Sequence, residues 1–407
     1  MISACLKFFY TGTEVSDKEV FHMLEDLDFT EYIAPALSFY RENARVLPWR
    51  ESRDPYRIWV SEIMLQQTRV SAVMPYYERF LRELPDIPSL AAADEDHLMK
   101  LWEGLGYYSR ARNLKKAAGI LCSTCDGNMP ADYEQILALP GIGPYTAGAI
   151  ASIAFGLPKA AVDGNVLRIL TRVSCDDSNI LSESVKKRTA RLIESAMTAC
   201  DADLPGCDCP LDGGSLPGSL NQALMEIGAV ICVPNGEPHC GQCPWNSRCG
   251  AKAAGEIDRY PYRAPAKSRR REKKTVLLIE DGEKIVITRR PPEGLLAGLY
   301  EFVTADGTLQ RSDVIEKVRS MDLDPLYVKE LPQAKHIFSH VQWDMSGYFV
   351  RVADKSLSAA PGDGESAYRI ADVGQVQREY PIPSAFRFYA KYVGLRIGPG
   401  EEGEPTA

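Results

Sequence analysis

Two carboxylates and four thiols are the residues of this 407-residue chain best suited by type and spacing to do chemistry. Glu62 lies in IWVSEIMLQQTRV, residues 58–70, which reads as a helix behind an Asp54 N-cap and Pro55 at its first position. On a 3.6-residue spiral Ile58, Trp59, Leu65 and Gln66 share the side of Glu62, so the carboxylate points with the apolar residues towards an interior. Asp163, in AAVDGNVLRILTRV, precedes a second helix. Taken singly, Glu62 reads as a buried helix carboxylate with an arginine partner and Asp163 as a plain N-cap. Taken together, they are the pair used to break a glycosidic bond. One carboxyl protonates the leaving group and the other stabilises or attacks the oxocarbenium-like cation. The thiols form Cys232-x7-Cys240-x2-Cys243-x5-Cys249, with Pro234, Gly236, Pro238, Gly241 and Pro244 among them, which indicates a loop. Such a set fits tetrahedral zinc or a [4Fe–4S] cluster. Only Cys240 and Cys243 make a two-residue knuckle, and the wider gaps wrap around something larger, which favours iron–sulfur. No neighbouring residue is placed for redox chemistry on a substrate, so a structural cluster is expected.

The elements that must position these groups fall into two regions. Residues 31–258 carry successive helical patterns, among them EYIAPALSFYREN, YRIWVSEIMLQQTRVSAVMPYYERFLREL, YSRARNLKKAAGILCST and LNQALMEIGAVICV, and strand alternation is missing. This region is expected to be all-α. Within it, LPGIGPYTAGAIASIAFG sets Gly141 and Gly143 in a tight turn before a small-residue helix. Either this is an ordinary interhelical turn, or its N–H groups form a phosphate-binding nest at a helix N-terminus. The latter is the helix-hairpin-helix pattern, which grips DNA backbone without reading bases. DADLPGCDCPLDGGSLPGS, residues 201–219, reads as an inserted loop. After a basic, proline-containing linker at 259–274, KTVLLIEDGEKIVITRR and IFSHVQWDMSGYFVRV have strand character, so 275–396 is expected to be an α+β domain. Residues 1–30 form an acidic extension and 397–407 a tail expected to be disordered.

Composition excludes little. The net charge of −8 speaks against nucleic acid only if charge is uniform, and it is not. Residues 259–274 hold eight basic side chains and one acidic, whereas the first 28 residues hold six acidic and two basic. No apolar run reaches the roughly 18–20 residues of a membrane span. The start shows no secretion signal, so the eleven cysteines are not expected to form a disulfide framework.

LPWR, SEIMLQQTRV, LWEGLGYYSRARNL, LPGIGPYTAGAI, VDGNVLRIL, NQALMEIGAVIC and the four cysteines resemble the MutY adenine DNA glycosylases. These belong to the endonuclease III-like helix-hairpin-helix glycosylases with a [4Fe–4S] cluster. The likeness is strong over about 33–258. It is weaker over 275–396, where TRRPPEGLLAGLYEF and KHIFSHVQW look like the family's Nudix-like domain. The resemblance implies removal of adenine opposite 8-oxoguanine or guanine in double-stranded DNA. Glu62 matches the family's acid, Asp163 the residue that stabilises the sugar cation, and Asn165 the residue that holds the aspartate. Tyr145 stands where bifunctional relatives carry a catalytic lysine. A tyrosine cannot form a Schiff base, which implies base removal without strand cleavage. Arg45, Trp49 and Arg50 match pocket residues. Gln67, Thr68 and Tyr107 match residues that fill or wedge the duplex, and Phe338, Ser339 and His340 the loop that recognises 8-oxoguanine.

The chain departs from the family in four places. The first cysteine gap is seven residues instead of the commoner six, the insertion at 201–219 with Cys207 and Cys209 has no assignable counterpart, and the acidic extension is extra. VTADGTLQRSDVIEKV lacks the glutamate ladder with which Nudix hydrolases bind magnesium, so a recognition domain without pyrophosphatase activity is expected. A monomer in a bacterial cytoplasm, associated with the nucleoid and not with a membrane, completes the expectation.

Overall fold

The computed structural model describes residues 27–203, 214–265, 268–353 and 368–398. The acidic segment 1–26, Cys207 and Cys209, and the tail from 399 lie outside them. The chain divides into two compact units. One gathers the residues up to Gln66, Asp86–Pro88 and Lys116–Pro265, and the other gathers Gln67–Pro85, Ser89–Lys115 and the chain from Ala266.

In the first unit α1 (Thr30–Asn43) is followed by a 3₁₀ turn, Pro48–Arg50, and then by α2 (Pro55–Leu65). The Asp54 side chain accepts from Tyr56 N at 2.8 Å and Pro55 opens the helix, as the sequence leads one to expect. The helical reading of 58–70 has to be shortened. α2 stops at Leu65, and the next helix, α3 (Val70–Glu83), starts only after Gln67 has taken a left-handed φ of 58°. The second unit continues with α4 (Ile87–Ala92) from Ser89 on, α5 (Glu95–Leu101) and the start of α6 (Ser109–Thr124). The first unit resumes with α7 (Tyr133–Leu137), α8 (Pro144–Phe155), α9 (Gly164–Ser174), α10 (Glu183–Asp203), α11 (Leu216–Glu226) and α12 (Gly250–Ala253). The loop expected over 201–219 is therefore shorter at its end: Leu216–Ser219 forms the first turn of α11, and Ser215 caps it by accepting from Gly218 N at 3.2 Å.

Burial of one face of each helix builds a core from Ile33, Ala36, Val166, Ile169, Leu170, Leu220, Leu224 and Trp245. Asn221 is fully buried and ties three pieces together: it donates to Ser152 Oγ and Lys159 O, both at 2.8 Å, and accepts from Ala161 N at 3.0 Å. A π-turn, Ile227–Ile231, follows α11, because Cys232 N reaches back to Ile227 O at 2.8 Å.

Among the described residues the chain from Arg270 forms six strands: β1 (Arg270–Glu280), β2 (Lys284–Arg289), β3 (Tyr300–Asp306), β4 (Pro325–Ile337), β5 (Val341–Val352) and β6 (Arg369–Asp372). Their order is β4-β5-β1-β3-β2-β6. β1 starts inside the basic stretch, and Arg271 and Lys274 lie on Asp344 and Asp306. β1 and β2 are joined by a short turn but pair only at Glu280–Ile285, and β3 lies between them. β1 instead runs parallel to β5 from Arg270↔Val341 to Glu280↔Arg351. The period of two sends Val276, Leu278 and Trp343 to one face under α14 (Val373–Glu379) and Phe386. Leu277, Ile279 and Val350 go to the other face, under α13 (Arg311–Arg319). Within this second unit Glu103 is buried and accepts from Ile382 N at 2.7 Å, and Lys100 donates to Tyr380 O at 3.2 Å. No helix among the described residues is long and apolar enough to cross a membrane.

Candidate active site

Glu62 is 6% exposed on the buried face of α2. Burial lifts its carboxyl from 4.5 to about 7. A hydrogen bond from the Tyr145 hydroxyl and the positive charge of Arg50 pull it down, and the charge of Asp163 pushes it up. Tyr145 sits in the first turn of α8, two residues after Gly143, and its hydroxyl also lies 3.9 Å from Met225 Sδ. Burial and the two carboxylates hold that hydroxyl well above its usual range, so it stays a donor at every physiological pH. Gly141 takes a φ of 79°, which an L side chain adopts only with strain, and so the turn before α8 stays tight.

Asp163 caps α9. Its Oδ1 accepts from Asn165 N at 2.9 Å and Val166 N at 2.8 Å, and its Oδ2 accepts from Asn165 Nδ2 at 2.6 Å. Burial raises its pKa, opposed by these three bonds and the charge of Arg168. The N-cap and the catalytic readings are thus compatible: one oxygen caps the helix while, among the described residues, the other is held by Asn165. Asn165 is itself fixed, since its Oδ1 accepts from Arg168 Nη2 at 3.0 Å. Arg168 donates onward to Gly228 O and Cys232 O, both at 2.8 Å. The π-turn leaves Gly228 O available for that contact. Only glycine fits at 228, because a Cβ there would stand 2.7 Å from Asn165 Cβ.

Arg45 and Arg50 come together on a carboxylate that the sequence reading did not single out. Glu226 has a fully buried side chain; its Oε1 takes Arg45 Nε at 2.6 Å and its Oε2 takes Arg50 Nη2 at 2.7 Å. Two guanidinium groups lower its pKa although burial opposes them. The clue was in NQALMEIGAVIC, a carboxylate in an otherwise apolar helix, the same anomaly that marks Glu62. Trp49, on the turn between the two arginines, is buried.

The four clustered thiols line one cavity with Ile169, Val173, Ile231 and Trp245. Among the described residues no three metal-binding side chains converge on a single-ion position. Arg172 Nη1 stands 3.2 Å from Cys232 Sγ. Burial pushes the Cys243 thiol up to about 12 and raises Cys240 and Cys249, and the sulfurs raise one another further. Four sulfurs around an apolar space repel as thiolates and need a cationic core between them, so the donor set fits an iron–sulfur cluster. Pro234–Glu237 is exposed and Gly236 has a φ of 78°, so the long first gap bulges outward there.

In the second unit Tyr107 is 45% exposed at a φ of 48°, and its hydroxyl lies 3.0 Å from Ser339 Oγ. Phe338, Ser339 and His340 form the turn between β4 and β5, with Phe338 packed edge-on against Trp343 at 5.0 Å and Ser339 and His340 exposed. Gln67 is exposed and Thr68 half-buried in the break after α2.

Residues 60–195 match the HhH-GPD superfamily of base excision DNA repair proteins and residues 275–391 match the NUDIX domain. The chain is 32% identical to an adenine DNA glycosylase of Homo sapiens, over 79% of this chain and 67% of that protein. It is 31% identical to one of Mus musculus, over 84% and 75%, and 32% identical to one of Buchnera aphidicola subsp. Baizongia pistaciae, over 75% and 82%. A helical glycosylase domain followed by an α+β NUDIX domain, at this identity and coverage, shows that the chain belongs to the adenine DNA glycosylase family.

Proposed function

We propose that this adenine DNA glycosylase, a base-excision-repair enzyme, removes adenine paired with 8-oxoguanine or guanine in duplex DNA and leaves an abasic site uncut. The observation that carries the reading is the set of Glu62, Tyr145 and Asp163. Two carboxyls with raised pKa share a buried tyrosine, at the hairpin position where a lyase needs an amine. The target base must leave the stack to reach them. Glu62, still partly protonated near pH 7, gives its proton to an imidazole-ring nitrogen of adenine. The C1′–N9 bond breaks with its electron pair going to the base. Asp163, oriented by Asn165, faces the cation at C1′; a water oxygen bonds to C1′ and its proton goes to the Glu62 carboxylate, which restores the acid. Glu226 fixes Arg45 and Arg50, whose charge reaches Glu62 from Arg50, with Trp49 between the two arginines in sequence. Gly141 and Gly143 would take DNA phosphate, while Gln67, Thr68 and Tyr107 would fill the duplex and Phe338, Ser339 and His340 would read the opposite base.

Cys232, Cys240, Cys243 and Cys249 are assigned to a [4Fe–4S] cluster whose contribution is structural, closing the loop that contains them. The region 275–396 is read as a recognition domain. The helix after β3, Arg311–Arg319, offers Asp313 and Glu316 but no ladder of magnesium ligands, which supports recognition without pyrophosphate hydrolysis. The test is an 8-oxoguanine:A duplex incubated with the enzyme, then analysed with and without alkali. Strand breaks only after alkali are expected. Breaks without alkali would overturn the monofunctional chemistry, and retention of adenine would overturn the substrate.

A further inference from the structure

We propose that Arg110 is a positioning residue for mispair binding, holding Tyr107 in its strained, outward conformation. The inference rests on Tyr107 acting as a wedge. A bulky aromatic at a φ of 48° is unstable unless its surroundings over-determine it. Here they do, through the carbonyls of Glu103, Leu105 and Gly106, which lead to it. Tyr76 donates its hydroxyl to Glu103 O at 2.8 Å. Arg110 Nη2 bridges Leu105 O at 3.1 Å and Gly106 O at 3.0 Å, and Trp102 Nε1 adds a bond to Gly106 O at 3.2 Å. Arg110 N takes Tyr107 O at 2.9 Å, so α6 begins at the wedge itself. The guanidinium then stacks between two rings, 5.4 Å from the centroid of the fully buried Trp102 and 5.6 Å from that of Tyr107.

This is work for a planar fork. A lysine can reach two carbonyls but has no delocalised plane to set over two rings while it does so. Arg110 is only 8% exposed, so its charge is spent inside the loop and not offered to a phosphate. Its role must therefore pass through Tyr107.

The experiment uses the full-length protein with its cluster, in an Asp163→Asn background that permits binding to be read without excision, and an 8-oxoguanine:A duplex as probe. Arg110→Lys should weaken binding about tenfold, the scale of losing one base–aromatic stack. Tyr107→Ala should do the same, and the two together should lose no more than Tyr107→Ala alone. The slope of affinity against salt should be the same with Arg110→Lys as without it, because no phosphate contact is lost. Losses that multiply to about a hundredfold, or a salt slope lowered by about one, would overturn the proposal. Arg110→Gln, planar and neutral, provides the same cycle if the lysine variant unfolds. The two readings fail differently: a parent that prefers no mispair over a matched duplex defeats the functional reading, whereas full preference kept in Arg110→Lys defeats this one alone.

Discussion

Raising the pH through the titration of Glu62 should lower activity and stability together, and Glu62→Gln should separate them. Glu62 is 6% exposed, and burial lifts its carboxyl from 4.5 to about 7. If it donates the proton, the single-turnover rate at saturating enzyme should follow its protonated fraction. That means a fall of about fivefold from pH 7 to 8 and then about tenfold per unit. The stability sign follows from the same shift. The folded state holds this proton more tightly than the unfolded chain, so the stabilisation is fully present below pH 4.5 and is lost as pH rises through about 7. A difference of 2.5 units, from 7 − 4.5, corresponds to about 3 kcal/mol. Glutamine fills the same space and loses nothing with pH. Glu62→Gln should therefore be inactive, yet gain about 2.5 kcal/mol on the wild type between pH 5 and pH 8.5, because part of the effect is already spent at pH 5; that is several degrees in melting temperature. The assays are denaturant unfolding of both proteins across that range and rapid-quench excision by the wild type. Parallel stability profiles would refute the burial argument. A rate that stays flat from pH 6 to 9 would refute the proton donor.

Asp163→Asn should still cap α9 through its side-chain oxygen and bind the mispair, but lose excision by orders of magnitude; substantial turnover in a quench assay would remove Asp163 from the chemistry. Tyr145→Phe deletes a hydrogen bond that lowers the pKa of Glu62, so the alkaline limb of the rate profile should move to higher pH. Glu226→Ala leaves the largely buried Arg50 without its carboxylate and should cost about 3 kcal/mol in unfolding measurements, more than a surface ion pair would. Cys243→Ser should yield protein with well below the roughly four iron atoms per chain expected of the wild type, read by iron and sulfide analysis.

The helices, the Asp54 cap and the two strand-like runs are local patterns, and they were legible. Glu62 and the cysteines were legible too, because a carboxylate on an apolar face and thiols spaced through a Pro–Gly loop are anomalies within a few residues of chain. What escaped depends on distance or on backbone geometry. The break after Leu65 rests on a left-handed glutamine, with no glycine to announce it. Glu226 finds its arginines 176 and 181 residues away, so nothing nearby explains its burial. β1 and β2 look like a hairpin in sequence, but β3 and the parallel β5 take the two sides of β1. The hydroxyl of Tyr145 on Glu62 joins two helices whose sequences carry no sign of each other.

Glu103 accepts from Ile382, 279 residues further along, and Lys100 from the neighbouring helix reaches Tyr380. At 5–20 residues per second of synthesis, the carboxylate waits on the order of 15–55 s before its backbone partner exists. Residues 67–115 therefore leave the ribosome before the partners of Lys100 and Glu103 exist, and these two ties close only when residues 380–382 arrive. The late-made end of the chain thus completes the hydrogen bonding of an early-made segment of the same unit. A chain stopped near residue 275 should be degraded or captured by holdases in cells, even though every residue of the Glu62–Tyr145–Asp163 set has already been synthesised.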